Sequence, residues 1–105
     1  MKFGIEFNKD KSVCWREIQE YNLMVIRATE EWANDKLHAK GYLLLNDVLE
    51  ELGFNVVDQI LQGTLDPRWG WVKDKFGKVT FGQLRPGVDI PLEFEVMDIF
   101  GACRN

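Results

Sequence analysis

The spacing of apolar side chains changes period near the start of the chain, and this change limits the possible folds. In KFGIEF (residues 2–7) apolar residues alternate with polar ones or glycine, which is the pattern of a β-strand with one buried face. From about Ser12 to Gly41 the apolar residues recur every three or four positions, as in an amphipathic helix. The predicted buried stripe comprises Ile18, Tyr21, Val25, Ala28 and Trp32, widened by Leu23, Ile26 and Leu37.

The segment YLLLNDVLEELGF (residues 42–54) predicts a second, shorter helix over residues 46–52. Gly41 suits the left-handed conformation that ends a helix, and Asn46 is a good N-cap for the next one. Gly53 ends this short helix, whose inward residues are predicted to be Leu45, Val48, Leu49 and Leu52. NVVDQILQG adds a further turn or two that ends at Gly63.

The C-terminal part of the chain contains three further strand patterns. WGWVKD and KVTFG flank DKFGK, and a glycine in so short a loop predicts a β-hairpin. PLEFEVM alternates again and predicts a last strand. KFGIEF is expected either to pair with this strand or to extend from the domain into a neighbouring molecule. We therefore expect an α+β fold: a three- to four-stranded, mainly antiparallel sheet packed on one long helix, with a short helical segment before the hairpin.

Length and composition set broader limits. A chain of 105 residues has room for one domain, so we expect residues 1–105 to form a single one. Apolar residues make up 46% and charged residues 29%, as in soluble globular proteins. No apolar run is long enough to span a bilayer, and we expect a cytoplasmic protein with no membrane contact. Cys14 and Cys103 are then expected to be free thiols.

Four short patterns resemble a known type of module. They are a helix ending in KGY, then LLLNDVLEELGF, GWV and VTFG, within residues 32–82. Together they resemble a small module of unknown function found in proteins of bacteriophages and mobile elements of Gram-positive bacteria. The resemblance implies a phage or prophage origin and an α+β module, and it assigns no catalytic residue. Some members carry an N-terminal membrane segment, and we expect none in this chain.

The sequence contains no recognisable pattern of catalytic residues. His38 is the only histidine, and its place at the end of the long helix is explained by the helix dipole. Phosphate-binding glycine motifs and nucleophile motifs do not occur. Glu50 and Glu51 are adjacent in a helix and so face directions about 100 degrees apart. We therefore predict a non-enzymatic protein with no cofactor and no metal.

A winged-helix-like nucleic-acid binder is one alternative, because helices and a hairpin follow one another in a suitable order. Its recognition helix would be NVVDQIL, which offers Asn55 and Gln59 but also Asp58. Only the hairpin would bring cations to phosphate, namely Lys73, Lys75 and Lys78. The acidic surface around this helix disfavours nucleic acid, so we expect a protein partner. A structural phage component is the other alternative, and the oligomeric state is left open.

The pair of tryptophans in WGW is the most informative aromatic feature. In a strand, Trp69 and Trp71 lie on the same face, with Gly70 leaving the opposite face bare. Both are predicted either to pack on the long helix, near Trp32, or to form a partner-binding anchor together with Arg68.

Acidic side chains concentrate in residues 30–66, where eight carboxylates face only Lys36 and Lys40 as cations. If the chain reverses at Gly41 and Tyr42, two groups of acids come together into a negative ridge: Glu30, Glu31 and Asp35 with Asp47, Glu50 and Glu51. Such a ridge suits a partner with a basic surface, and a solvated acidic face is the alternative. The predicted function is thus that of an interaction protein of a phage or mobile element, with inhibition of a host nucleic-acid-handling or defence protein as a hypothesis.

Overall fold

The computed structural model describes residues 1–102 and confirms the α+β class. Its elements are β1 (Lys2–Phe7), α1 (Gln19–Lys40), β2 (Tyr42–Leu44), α2 (Leu45–Glu51), α3 (Val56–Leu61), β3 (Trp69–Val72), β4 (Ile90–Glu95), β5 (Met97–Asp98) and α4 (Ile99–Ala102). The strands form two antiparallel sheets, one of two strands in the order β1–β4 and one of three strands in the order β2–β3–β5.

The two-stranded sheet joins the beginning of the chain to its last third. Phe3 lies opposite Phe94 and Ile5 opposite Leu92, so of the two alternatives for KFGIEF the structure shows pairing with PLEFEVM. Alternate side chains of both strands are buried, as their period-2 patterns require. β4 ends at Glu95, and after Val96 the chain enters the other sheet as β5.

The long helix begins at Gln19, seven residues later than predicted from Ser12. Asn22 explains the late start, because its amide accepts from the Arg16 N–H (2.8 Å) and donates to the Arg16 carbonyl (2.6 Å). Ser12 forms a strand-like bridge with Phe54 instead. At the other end Gly41 has φ +85° and its N–H donates to the Leu37 carbonyl at 2.8 Å, which confirms the predicted stop.

The buried stripe of α1 is displaced by one position from the predicted one. Two of its buried residues are polar, and the full set is Asn22, Ile26, Thr29, Ala33 and Leu37. Ile18 and Ala28, predicted to be inward, are exposed, while Trp32 is half-buried. The Thr29 hydroxyl is satisfied within the helix, because it donates to the Val25 carbonyl at 2.8 Å. Internal hydrogen bonds therefore allow polar residues to occupy the core face.

The predicted short helix is present as α2, and its four inward leucine and valine residues are buried as expected. Asn46 is not its N-cap, since α2 begins at Leu45 after the capping residue Leu44. Residues 42–44 form β2, which pairs with β3 and so draws the helix start back by one residue. The further helical turn is confirmed as α3, where the Asn55 side chain accepts from the Asp58 N–H at 3.2 Å.

After β3 the chain turns back, with the Lys75 and Phe76 N–H groups both donating to the Val72 carbonyl. The expected second arm, KVTFG, does not pair with β3, whose neighbours are β2 and β5. Side chains of α1 bind this segment instead: Asn34 bonds both backbone groups of Val79, and the Glu30 carboxylate accepts from the Phe81 N–H at 2.9 Å. The segment thus lies beside α1 as extended chain.

Aromatic side chains link the two sheets in the core. Phe94 of β4 meets Trp71 of β3 edge to face at 6.1 Å between ring centroids, and it meets Phe81 at 5.1 Å. Cys14 is a free thiol, as expected, whereas Cys103 lies outside the described residues. Within residues 1–102, no helix is both long enough and apolar enough to cross a membrane.

Candidate protein-binding cleft

A cleft of about 210 Å³ lies where α1 meets α2. One wall comes from α1, on which Trp32, Lys36 and Lys40 recur at intervals of four residues and so share one face. The opposite wall comes from α2, and Leu43 of β2 closes the bottom; the α2 residues are Asp47, Glu50 and Glu51. The reversal at Gly41 sets the two walls against each other.

The two walls carry opposite charge. The α2 wall presents three exposed carboxylates, while the α1 wall presents two ammonium groups above the half-buried indole of Trp32. Leu43 is only 4% exposed, so the bottom of the cleft is apolar. Such a site can hold an elongated side chain by its apolar stem and a charged end by ionic contact.

The sequence indicated only the acidic half of this cleft. Trp32 belongs to the predicted core stripe, and Lys36 and Lys40 are only the two cations of the acidic segment 30–66. The spacing of these residues, four apart, was the available signal, because residues at i and i+4 lie side by side on a helix.

The six carboxylates of the predicted ridge do not lie together. Asp47, Glu50 and Glu51 line the cleft, but Lys36 and Lys40 face them where the ridge required acids. Glu30 lies on the other flank of α1, bound to the Phe81 N–H. Glu31 lies along a further face of α1 with Arg27, and Asp35 is exposed to solvent. Glu30 diverges from Glu31 and Asp35 because successive helix positions turn by about 100 degrees, and none of the three lies on the face of α1 that carries Trp32, Lys36 and Lys40.

The two tryptophans of WGW have different surroundings. Trp71 is 1% exposed and belongs to the core, which agrees with the core alternative for this residue. Trp69 is half-buried and its ring meets Phe3 edge to face at 6.3 Å. Between them, Gly70 does not leave a bare face, since a Cβ there would collide with the Leu43 carbonyl oxygen of β2. Strand β2 therefore approaches β3 closely only because residue 70 is glycine.

Arg68, the third residue of the proposed aromatic anchor, is engaged within the protein. Its guanidinium donates to both carboxylate oxygens of Asp66, at 3.1 and 2.9 Å, and lies 3.6 Å from the Asp98 carboxylate. The hydrogen bonds from Arg68 hold the pKa of Asp66 below its usual value, and the same contact raises the pKa of Arg68. The Ile99 N–H donates to the Arg68 carbonyl at 3.0 Å, so Arg68 joins the turn before β3 to the chain after β5.

The surface of α3 bears on the nucleic-acid alternative. The helix contains no lysine or arginine, and its exposed side chains are Val57, Asp58 and Leu61. Lys73, beside β3, donates to the His38 carbonyl at 3.5 Å, while Lys75 is exposed. A recognition helix needs cations near phosphate, and α3 supplies apolar and acidic groups.

In the part of the chain that the structure describes, no three His, Cys, Asp or Glu side chains are grouped so as to hold a metal ion. The carboxylates of the cleft are thus not arranged as a ligand set.

Comparison with known proteins gives one match. The chain matches none of the curated proteins and none of the solved structures with which it was compared. A family model described as a family of unknown function, DUF6353, matches residues 5–97, which extend from the second half of β1 to the start of β5 and include the whole cleft. The chain therefore belongs to the DUF6353 family.

Proposed function

We propose that this chain is a non-enzymatic protein-interaction module and that the cleft between α1 and α2 receives a basic side chain of its partner. The observation that carries the proposal is the combination of an indole, an apolar bottom and three carboxylates in one small cleft. An arginine or lysine can lay its aliphatic stem against Trp32 and Leu43. Its charged end then meets Asp47, Glu50 and Glu51.

The size of the cleft favours a side chain over a free metabolite. Small-molecule pockets usually occupy roughly 300–1,000 Å³ and bury most of their ligand. The cleft is smaller, at about 210 Å³, and open to solvent. One long side chain from a docked protein fills such a space, and the surrounding surface of that protein supplies the rest of the binding energy.

Lys36 and Lys40 narrow the choice of partner. They disfavour a uniformly basic surface and favour one in which an acidic group lies close to the inserted cation. The resemblance to modules of phages and mobile elements supports a role in the host-cell cytoplasm. We include in the proposal that the partner is a host nucleic-acid-handling or defence protein, because such proteins expose arginine and lysine side chains that can enter the cleft.

The cleft can be tested before the partner is known. A short peptide with one arginine between alanines is titrated into the ¹⁵N-labelled protein, and the indole N–H resonance of Trp32 is followed. The same peptide with citrulline in place of arginine is the control, since it keeps the shape and removes the charge. We expect the Trp32 resonance to shift with the arginine peptide and to stay in place with citrulline.

Two double variants test whether the shift of the Trp32 resonance depends on the carboxylates of the cleft. The double variant Glu50→Gln/Glu51→Gln should abolish the shift, because it removes two carboxylates from the cleft. Glu31→Gln/Asp35→Asn removes two exposed carboxylates of α1 outside the cleft and should leave the shift intact. If both double variants weaken binding equally, or if citrulline binds as well as arginine, the cleft is not a site for a basic side chain.

A further inference from the structure

Strand β1 has one edge paired with β4 and one open edge. The Val96 N–H donates to the Met1 carbonyl at 2.8 Å, in line with the pairing of Phe3 with Phe94 and Ile5 with Leu92. In an antiparallel pair, hydrogen-bonded residues alternate with residues whose backbone groups point away. The odd residues of β1 therefore bond to β4, and Lys2, Gly4 and Glu6 direct their N–H and C=O groups outward.

An independent contact supports this assignment. Glu93 lies opposite Gly4, and its N–H donates away from β1, to the Phe81 carbonyl at 3.2 Å. The far side of β4 is thus occupied by the segment around Phe81. On the far side of β1, by contrast, no backbone hydrogen bond reaches residues 2–7 from any part of the chain that is described. A free strand edge of this kind is a template for another strand.

The outward residues of β1 are complementary to themselves. Lys2 and Glu6 are exposed, carry opposite charge and lie symmetrically about Gly4. When two copies of β1 run antiparallel with Gly4 opposite Gly4, Lys2 of each copy lies opposite Glu6 of the other. Opposite charges directly across a strand pair stabilise it, whereas like charges destabilise it.

We propose that β1 pairs with β1 of a second copy in this register, so that the dimer contains a four-stranded antiparallel sheet in the order β4–β1–β1–β4. The two-fold axis passes through the Gly4 pair, as an isologous interface requires. Each of the three outward pairs exchanges two backbone hydrogen bonds, which gives about six in all. On the other face of the sheet, Phe3 of one copy comes to lie opposite Ile5 of the second.

The residue at the axis fits the pairing. A Cβ at position 4 would meet nothing nearer than the Leu92 carbonyl oxygen, at 3.8 Å, so the fold of the single chain does not require glycine there. The side chains nearest a two-fold axis face their own copies, and glycine removes this contact. Neighbouring registers pair only two of the three outward residues within the strands, and they leave both Lys2 and Glu6 without an opposite charge across the axis.

The interface is small, since each copy contributes one strand edge of six residues. Interfaces below about 1,200 Å² are usually weak, so we expect dimers to form between roughly 10 µM and 1 mM protein. Sedimentation velocity over this range should show a monomer that converts to a dimer as concentration rises. Hydrogen exchange of the Gly4 amide should slow over the same range, because its N–H becomes paired.

Charge exchange tests the register. Lys2→Glu and Glu6→Lys should each lower dimer formation by at least tenfold, since each places two pairs of like charges across the axis. An equal mixture of the two variants should restore dimers, because every pair then joins a glutamate to a lysine. Glu93→Lys is the matched control: it makes the same kind of change on the same exposed face, away from the open edge, and should leave dimer formation unchanged.

A further variant, at position 4, distinguishes loss of the dimer from loss of the folded monomer. Gly4→Pro removes the outward N–H and keeps the bonds of the odd residues to β4, so the protein should unfold at nearly the same temperature and stay monomeric. A wild-type chain that is monomeric throughout the range overturns the proposal. Dimers that persist in the single charge variants, or that the mixture does not restore, also overturn it, as does equal loss in the Glu93→Lys control.

Discussion

Asn34 provides the sharpest test of how the segment after β3 is held. Its side-chain oxygen accepts from the Val79 N–H at 2.8 Å, and its amide donates to the Val79 carbonyl at 3.0 Å and to the Glu30 carbonyl at 2.9 Å. One helix side chain thus satisfies both backbone groups of Val79, a residue only 1% exposed. Replacing Asn34 by alanine leaves those two groups buried and unpaired.

The expected loss follows from these contacts. Each hydrogen bond contributes about 0.5–1.5 kcal/mol, and an unpaired buried group costs about 1–3 kcal/mol. Alanine recovers about 0.5 kcal/mol through its higher helix propensity. Two unpaired groups less the helix-propensity gain give a loss in the free energy of unfolding of at least about 1.5 kcal/mol for Asn34→Ala. With a urea m-value of about 1.5 kcal/mol per M, the midpoint falls by at least about 1 M.

Urea denaturation monitored by circular dichroism measures this loss. Asp35→Ala is the control, because Asp35 is the exposed neighbour and gains the same helix propensity. Asn34→Asp keeps the acceptor for the Val79 N–H and loses the donor, so its midpoint should lie between those of wild type and Asn34→Ala. A midpoint for Asn34→Ala no lower than that of Asp35→Ala would refute the view that this side chain holds the segment.

Three further outcomes follow from the core and the β3 region. Trp71→Ala should lower the free energy of unfolding by about 3–5 kcal/mol, while half-buried Trp69→Ala should lower it less; equal losses would contradict the difference in burial. Gly70→Ala should destabilise the protein by about 1–3 kcal/mol in thermal unfolding, because its Cβ meets the Leu43 carbonyl, and a neutral effect would mean that β2 is not so close. Arg68 lowers the pKa of Asp66, so the contribution of this carboxylate to stability is present above the usual pKa of 3.8 and is lost as the pH falls through the lowered pKa. Asp66→Asn should therefore flatten the dependence of the free energy of unfolding on pH below pH 3.8, and an unchanged dependence would contradict this.

Part of the fold could be predicted because single residues decide it. Alternation in β1 and β4 fixed their buried faces, and Gly41 fixed the end of α1. The start of α1 and its buried stripe could not be predicted, because they depend on hydrogen bonds made by Asn22 and Thr29. A hydropathy pattern treats such residues as outward-facing, whereas a polar group with internal partners is compatible with the core.

The displaced stripe also explains the errors in the candidate site. An error of one position rotates a helix assignment by about 100 degrees, enough to move a residue from one flank to another. With the buried face correctly placed, Lys36 and Lys40 turn towards α2 and the acids of α1 turn away from it. The prediction that KVTFG pairs as a hairpin strand was also wrong, because side chains of α1 form the hydrogen bonds with its backbone that a neighbouring strand would have formed.

The pairing of β1 with β4 has a consequence for the order in which the protein forms during synthesis. β1 is synthesised more than 80 residues before its partner in the sheet, which is made only when residues 90–95 are complete. Until then β1 has no strand with which to pair, and closing a loop of this length is slow. The three-stranded sheet is likewise incomplete until β5 follows Val96. Both sheets are therefore completed within a few residues of each other, and ribosome-bound chains that stop before residue 90 should remain sensitive to protease over their full length.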